Sequence, residues 1–315
     1  MNRAAQTSPS RPPTQQEGAG KRALVTGLQG FTGRYMAREL EEAGYRVFGT
    51  ALSDEPDAPN VSQADLLDRD AMAALVQRVQ PDVVVHLAGI AFVAHANAEQ
   101  IYRVNVVGTR NLLEALAGLE RKPSAVLLAS SANIYGNADA DPIGEEVMPA
   151  PANDYAVSKL AMEYMARLWF ERLPVILARP FNYTGVGQHE NFLLPKIVSH
   201  FRRGAREIEL GNLNVARDFS DVRVVASSYR RLLAAAPAAA GQAFNVCSGT
   251  GYSLGEVLAL MAAIAGYRIG VRVNPAFMRG NEVARLVGSN AKLAGVIGAL
   301  APPPLEQTLR WMYSA

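Results

Sequence analysis

The stretch ALVTGLQGFTG, residues 23–33, decides the fold. Three apolar residues, Ala23, Leu24 and Val25, stand ahead of three glycines at three-residue spacing, Gly27, Gly30 and Gly33. A short buried strand, a glycine turn and a helix start form the geometry in which backbone N–H groups meet a dinucleotide pyrophosphate at a helix N-terminus. Gly27 permits the tight turn, Gly30 lets the backbone approach the phosphates, and Gly33 lets the helix lie close to the strand. Glycine is common in this chain, 26 of 315 residues, so the address of the turn behind a strand carries the reading more than its spacing.

Outward from that turn, β-rich runs alternate with helical patterns. The sequence predicts strands over 22–26, 46–50, 83–86, 124–129 and 175–178, and helices over 33–43, 70–79, 101–116 and 152–170. A polar connection follows the second strand, and 62–64 leads into Asp65. The runs VVVHLAG (83–89) and AVLLASS (125–131) are continuously apolar rather than alternating, as in strands covered on both faces. Repeated strand–helix–strand units therefore predict an α/β fold, a doubly wound parallel sheet of Rossmann type. After Pro180 the rhythm loosens: helices are expected over 192–203, 221–233, 254–265 and 305–313, with strands over 207–210 and 243–246. The expected organisation is a dinucleotide-binding domain of residues 21–178 plus 221–247, and a smaller α/β substrate lobe of 179–220 plus 248–315.

Composition narrows the class. The hydrophobic content is 49% and the charged content 19%, ordinary for a globular enzyme. With 31 basic and 29 acidic residues the net charge is +2, too balanced for a nucleic-acid surface. No apolar run approaches the roughly 18 residues a membrane helix needs. The single cysteine, Cys247, forbids an internal disulfide and fits a reducing, cytoplasmic setting. Four scattered histidines, His86, His95, His189 and His200, have no metal-ligand spacing, so no metal is expected. Residues 1–20, rich in Ser, Pro, Gln and Arg with no large apolar residue after Met1, read as a disordered tail rather than a signal peptide, and the ordered fold is expected from Lys21 or Arg22.

Tyr155 and Lys159 lie four apart in a predicted helix and so share a face. Ser130 and Ser131 close a buried strand, at the sheet edge where open α/β folds place ligands. A phenol is a poor proton shuttle near neutrality, and a neighbouring ammonium is expected to lower its pKa. A serine hydroxyl beside it can hydrogen-bond a carbonyl oxygen. Hydride delivery to a carbonyl carbon needs this set, because the developing alkoxide must be stabilised and protonated.

With GLQGFTG (27–33), HLAG (86–89), SSANIYG (130–136) and YAVSK (155–159) in that order, the chain resembles the extended short-chain dehydrogenase/reductases that act on nucleotide-diphosphate sugars. The stretches ARPFNYTGVGQ (178–188), GNLNVARDFSDV (211–222) and NVCSG (245–249) most resemble the GDP-4-dehydro-6-deoxy-D-mannose reductase group, which forms GDP-D-rhamnose. The resemblance implies that Gly27, Gly30, Phe31, Thr32 and Gly33 hold the cofactor pyrophosphate, with Asp65 and Leu66 at the adenine. Leu87, Ala88 and Gly89 would line the cofactor channel, and Lys159 would bond the nicotinamide ribose as well as serve with Ser131 and Tyr155 in catalysis. Asn182, Lys196, Arg217 and Arg279 match positions that grip the nucleotide diphosphate. A planar guanidinium suits phosphate oxygens.

One departure sharpens the reaction. Where related 4,6-dehydratases carry a carboxylate for water elimination, this chain has Asn133, which is either a pocket residue or a turn residue. An amide cannot shuttle that proton, so dehydration is disfavoured. The cofactor is NADP(H) or NAD(H): Thr50, Ala51 and Leu52 offer no acid for a ribose 2′-hydroxyl, Arg34 is a candidate partner for a 2′-phosphate, and Asp54 and Glu55 stand nearby. The expected substrate is a GDP-linked 6-deoxy-4-ketohexose, with a 4-epimerase retaining NAD as the rival reading. The helices 101–116 and 152–170 are expected to form a homodimer interface, as in the family.

Overall fold

A computed structural model of the chain describes residues 17–52, 60–91, 97–213, 215–275 and 283–315. Strand β1 (Arg22–Thr26) runs into the glycine turn and helix α1 (Phe31–Glu42). There follow β2 (Arg46–Ala51), β3 (Val61–Gln63), α2 (Arg69–Val79) and β4 (Val83–His86). Next come α3 (Ala98–Tyr102), a π-helical turn (Arg103–Gly108), α4 (Thr109–Gly118) and β5 (Ala125–Ala129). A 3₁₀ turn (Ala132–Tyr135) precedes α5 (Asp154–Arg167) and β6 (Val175–Pro180).

The chain then leaves this sheet through β7 (Asn182–Thr184), α6 (Leu193–Arg202), β8 (Glu207–Leu210) and β9 (Ala216–Asp221). It returns through α7 (Val222–Ala234), α8 (Ala236–Ala239) and β10 (Ala243–Val246), and departs again through β11 (Gly251–Ser253), α9 (Leu254–Ala265), β12 (Gly270–Val273) and β13 (Arg285–Leu286). Helices α10 (Ala291–Ile297) and α11 (Leu305–Ser314) follow.

The large sheet is parallel, in the order β10-β6-β5-β4-β1-β2-β3. Its order reverses direction at β1, so the glycine turn emerges at the switch point where such sheets bind ligands. The continuous apolar runs have a simple cause. Successive strand residues point to opposite faces: Val25, Val85 and Leu127 enter a core with Met36, Leu40 and Phe244, whereas Leu24, Val84 and Val126 enter another with Leu75, Leu112 and Met162. Both faces are covered, so both sets must be apolar. The lobe has its own core around Ile197, Phe201, Val257, Met261 and Leu309, beneath a sheet built on β9 with β7, β11 and β13.

Four features differ from the sequence reading. The expected helix 101–116 is interrupted by the π turn, within which Asn105 is buried. Residues 17–20, expected in the tail, are part of the described fold: the Gly18 N–H donates to Ala43 O at 3.0 Å, and Glu17 pairs with Arg230 at 2.7 Å. Residues 1–16 of the expected tail lie outside the described residues. Helix α10, assigned above to the lobe, instead buries Leu293 and Ile297 in the core of the large sheet beside α7 and β10. Finally, β7, β9, β11 and β13 carry no period long enough to read: β9, ARDFSD, becomes a strand because its neighbours pair with it on both edges.

Candidate active site

The glycine turn leaves no room for a side chain at Gly27 or Gly33. Gly27 has φ +71°, and a Cβ there would lie 2.9 Å from Ala88 N. A Cβ on Gly33 would sit 2.3 Å from Gly27 O and 2.4 Å from Leu28 O. Helix α1 has no side-chain cap and no acidic residue in its first turn, so its first N–H groups and the positive end of its dipole are left for an anion. This arrangement fits a dinucleotide pyrophosphate. Leu87 and Ala88 form the opposite wall, with Leu87 N donating to Thr26 O and Ala88 N to Thr26 Oγ1 at 3.2 Å. Asp65 lies exposed just past β3, its Oδ1 accepting from Leu67 N, and Leu66 is buried.

At the ends of β5 and α5 the fold gathers Ser131, Tyr155 and Lys159. Ser131 caps the 3₁₀ turn, its Oγ accepting from Asn133 N at 3.2 Å. Asn153 caps α5, its side chain accepting from Ala156 N, and so fixes the first turn that carries Tyr155. Lys159 is buried, donates from Nζ to Ala129 O at 2.9 Å, and holds that nitrogen 5.9 Å from the Tyr155 ring centroid. Burial pushes the Tyr155 phenol up to about 12, against a downward pull from the Ser131 hydroxyl. Burial also lowers Lys159 to about 8, against an upward pull from Glu163 one turn along. Glu163 is itself held by two bonds from Arg179, at 2.9 and 2.6 Å. Desolvation dominates the Tyr155 phenol, so its net shift is upward rather than the lowering expected from Lys159.

The sequence reading missed the scaffold behind this trio. Asn105, placed by the π turn, accepts at Oδ1 from Ile90 N (2.8 Å) and donates from Nδ2 to Ile90 O (3.1 Å) and Ser158 Oγ (3.0 Å). Ser158 Oγ donates to Tyr155 O at 2.7 Å. Gly89 has no side chain because a Cβ would stand 2.9 Å from Asn105 Oδ1. Thr109 donates to Asn105 O at 2.7 Å, so its proton is committed and His86 Nε2 must donate to Thr109 Oγ1 at 2.9 Å. His86 Nδ1 then accepts from Thr26 Oγ1 at 2.7 Å. Burial first, and Lys159 second, lower His86 to about 3, so it stays neutral. The signal was present: Asn105 and Thr109 lie one turn apart on the apolar face of the expected helix 101–116.

The residues expected on the substrate side divide. Asn182 projects from β7 with its Nδ2 buried and without a partner among the described residues, a group poised for a ligand. Arg217 donates to Ala216 O at 2.9 Å and lines a small cavity with Leu193, Val215, Phe219, Tyr252 and Leu254. Asp218 behind it is fully buried and accepts from Ser248 N, Ser248 Oγ and Gly249 N at 2.7–2.9 Å. Lys196 on α6 donates to Glu209 O at 2.8 Å. Arg279 lies outside the described residues. Asn133 is half-buried in the 3₁₀ turn beside Ser131, and no group of three or more metal-ligating side chains exists among the described residues.

A parallel sheet with a glycine turn at its switch point, and a Ser–Tyr–Lys set at the ends of β5 and α5, defines a dinucleotide-dependent oxidoreductase of Rossmann fold. The chain belongs to the NAD dependent epimerase/dehydratase family, matched over residues 23–247. It is 36% identical to the GDP-6-deoxy-D-mannose reductase of Pseudomonas aeruginosa, across 93% of this chain and 96% of that one. It is 34% identical to the GDP-6-deoxy-D-talose 4-dehydrogenase of Aggregatibacter actinomycetemcomitans, across 87% and 90%. Among solved structures it is similar to a Burkholderia cenocepacia J2315 protein provisionally described as an epimerase, with 56% identity, TM-score 0.88 and coverage of 94% and 98%. RMD from Pseudomonas aeruginosa complexed with NADPH superposes with TM-score 0.82 at 34% identity, covering 93% and 98%. The protein is an NAD(P)-dependent enzyme, and no helix among the described residues is long and apolar enough to cross a membrane.

Proposed function

We propose that the enzyme reduces the C4 ketone of GDP-4-dehydro-6-deoxy-D-mannose to GDP-D-rhamnose. The observation that carries this reading is the Ser131–Tyr155–Lys159 set with an amide, Asn133, rather than a carboxylate beside it. A bound reduced nicotinamide supplies the hydride. Gly27, Gly30, Phe31, Thr32 and Gly33 hold the pyrophosphate, Asp65 and Leu66 face the adenine, and Leu87, Ala88 and Gly89 line the channel. Ser131 hydrogen-bonds the C4 oxygen, and Tyr155, whose elevated pKa keeps it protonated, delivers the proton to that oxygen. Lys159 steadies the resulting phenolate and bonds the ribose. Asn182, Asn133, Lys196, Arg217 and Arg279 are assigned to the nucleotide sugar, with the unpartnered Asn182 amide the best supported.

NADPH is the preferred cofactor in this reading. Leu52 is exposed at the end of β2 where a ribose-binding acid would stand. Arg34 is exposed beside the turn, its Nε donating to Gln29 O at 3.1 Å. Asp54 and Glu55 lie outside the described residues. The enzyme is also proposed to be a homodimer: Val107, Val157, Tyr164 and Leu168 leave apolar side chains exposed on the outer faces of the π turn and α5.

The test is incubation with GDP-4-dehydro-6-deoxy-D-mannose and NADPH or NADH, following loss of nicotinamide absorbance and identifying the sugar by NMR. Stoichiometric oxidation of NADPH with formation of GDP-D-rhamnose supports the proposal. The C4 epimer as product would move the assignment to a GDP-6-deoxy-D-talose enzyme. A second reading, an NDP-sugar 4-epimerase, is favoured by the 56% identity to the Burkholderia protein. It predicts purification with NAD bound and no net cofactor consumption.

A further inference from the structure

Helix α1 is tied to the lobe through Tyr183, a side chain with no role in the reading above. Tyr183 on β7 has its hydroxyl 2.8 Å from Thr32 Oγ1, and Thr32 is the second residue of α1. The Tyr183 ring stacks on Phe31, with centroids 6.2 Å apart and planes 13° from parallel. Phe31 in turn meets Tyr35 edge-on at 5.6 Å, and Tyr35 meets Trp311 at 6.1 Å. Tyr35 also donates to Val186 O at 2.7 Å. The backbone of Tyr183 is held opposite Ser220 on β9. The stacked Phe31 ring and the paired backbone hold the phenol beside Thr32.

We infer that Tyr183 is a positioning residue for the cofactor: it donates to Thr32 Oγ1 and thereby turns the Thr32 hydroxyl proton toward the pyrophosphate at the start of α1. Two hydroxyls sharing one bond have two arrangements. With Thr32 as donor, its lone pairs face the anion. With Tyr183 as donor, Thr32 presents its proton instead, and an anion selects this second arrangement. Burial raises the Tyr183 pKa, so the phenolic proton stays in place throughout the working pH range. Asn182 precedes Tyr183 on β7, so the same short strand that bonds the cofactor turn carries a candidate substrate contact.

This inference rests on the reading that the glycine turn holds the pyrophosphate. Its test is NADPH affinity measured by nucleotide fluorescence, without turnover, on variants whose fold is checked by melting temperature. Tyr183→Phe and Thr32→Val should each weaken NADPH binding by roughly five- to twentyfold. The double variant should bind no worse than Thr32→Val, since Tyr183 acts only through that hydroxyl. Thr32→Ser should retain wild-type affinity. Wild-type affinity in Tyr183→Phe, or effects that multiply in the double variant, would overturn the inference. Gly30→Val separates the two levels: if it abolishes binding while Tyr183→Phe does not, the turn is correct and the role of Tyr183 is wrong. If Gly30→Val binds NADPH normally, both fail.

Discussion

Lys159 and Tyr155 face each other with the ammonium 5.9 Å from the ring centroid, and burial drives their pKa values in opposite directions, toward about 8 and about 12. In each case burial works against the charged form. The phenol is thus a proton reservoir rather than a ready base, and the group that titrates nearest to neutrality is the lysine.

The alkaline limb of the reaction should therefore report Lys159. In the direction of ketone reduction, kcat/KM should fall as pH rises through about 8, because the phenolate left after proton transfer loses its counter-cation. Tyr155 stays protonated over that range and contributes no limb. A profile flat to pH 10 would contradict this ordering.

Burying Lys159 costs stability near neutrality. Its pKa falls from 10.5 to about 8 on folding, so below pH 8 the folded chain carries the full penalty, roughly 3 kcal/mol. Between 8 and 10.5 the unfolded chain holds the proton that the folded chain has released, and stability rises with pH. Lys159→Met should remove activity yet raise stability at pH 7 by about 1–2 kcal/mol, after allowing for the lost bond to Ala129 O. Denaturant titrations at pH 7 and pH 10 check the sign, since the advantage should shrink at the higher pH.

Ser158→Ala cuts the link between Asn105 and the backbone of Tyr155 without touching a reacting group. About tenfold loss of kcat is expected, with KM for the sugar nearly unchanged and stability lowered by about 1 kcal/mol. Steady-state kinetics beside a thermal melt would separate these effects.

Gly33→Ala would bring a methyl within 2.3 Å of Gly27 O and 2.4 Å of Leu28 O. Both contacts are with backbone, so the turn itself must open. NADPH binding should be lost and the melting temperature lowered, whereas Gly118→Ala, with nothing within 4 Å of its added methyl, should change neither.

Charges placed on the outer face of α5, at Leu168→Glu with Tyr164→Arg, should yield a monomer that retains NADPH binding. Light scattering at micromolar concentration checks this, and a wild-type monomer would dispose of the dimer altogether.

The strand–turn–helix at residues 23–33 was legible because Gly27 and Gly33 answer backbone requirements that a residue with a side chain does not meet. Tyr155 and Lys159 were legible because helical spacing alone puts them on one face. The bond between Asn105 and Ser158 was not, since it joins residues 53 apart and appears only once α5 lies against the π turn. The same holds for the short strands of the lobe. The two or three residues of β13 or β7 take their conformation from β9, and the position of Ala291–Ile297 against α7 follows from tertiary contact rather than local pattern.

The return of the chain to the large sheet through β10 bears on how the protein is made. Val175–Pro180 has only β5 beside it until Ala243–Val246 is laid along its other edge. During synthesis, that edge must wait through the whole first excursion into the lobe, β7 to β9, before its last partner leaves the ribosome. A growing chain paused anywhere in that interval would present an unpaired apolar strand, which places the risk of aggregation on elongation rather than on the finished enzyme.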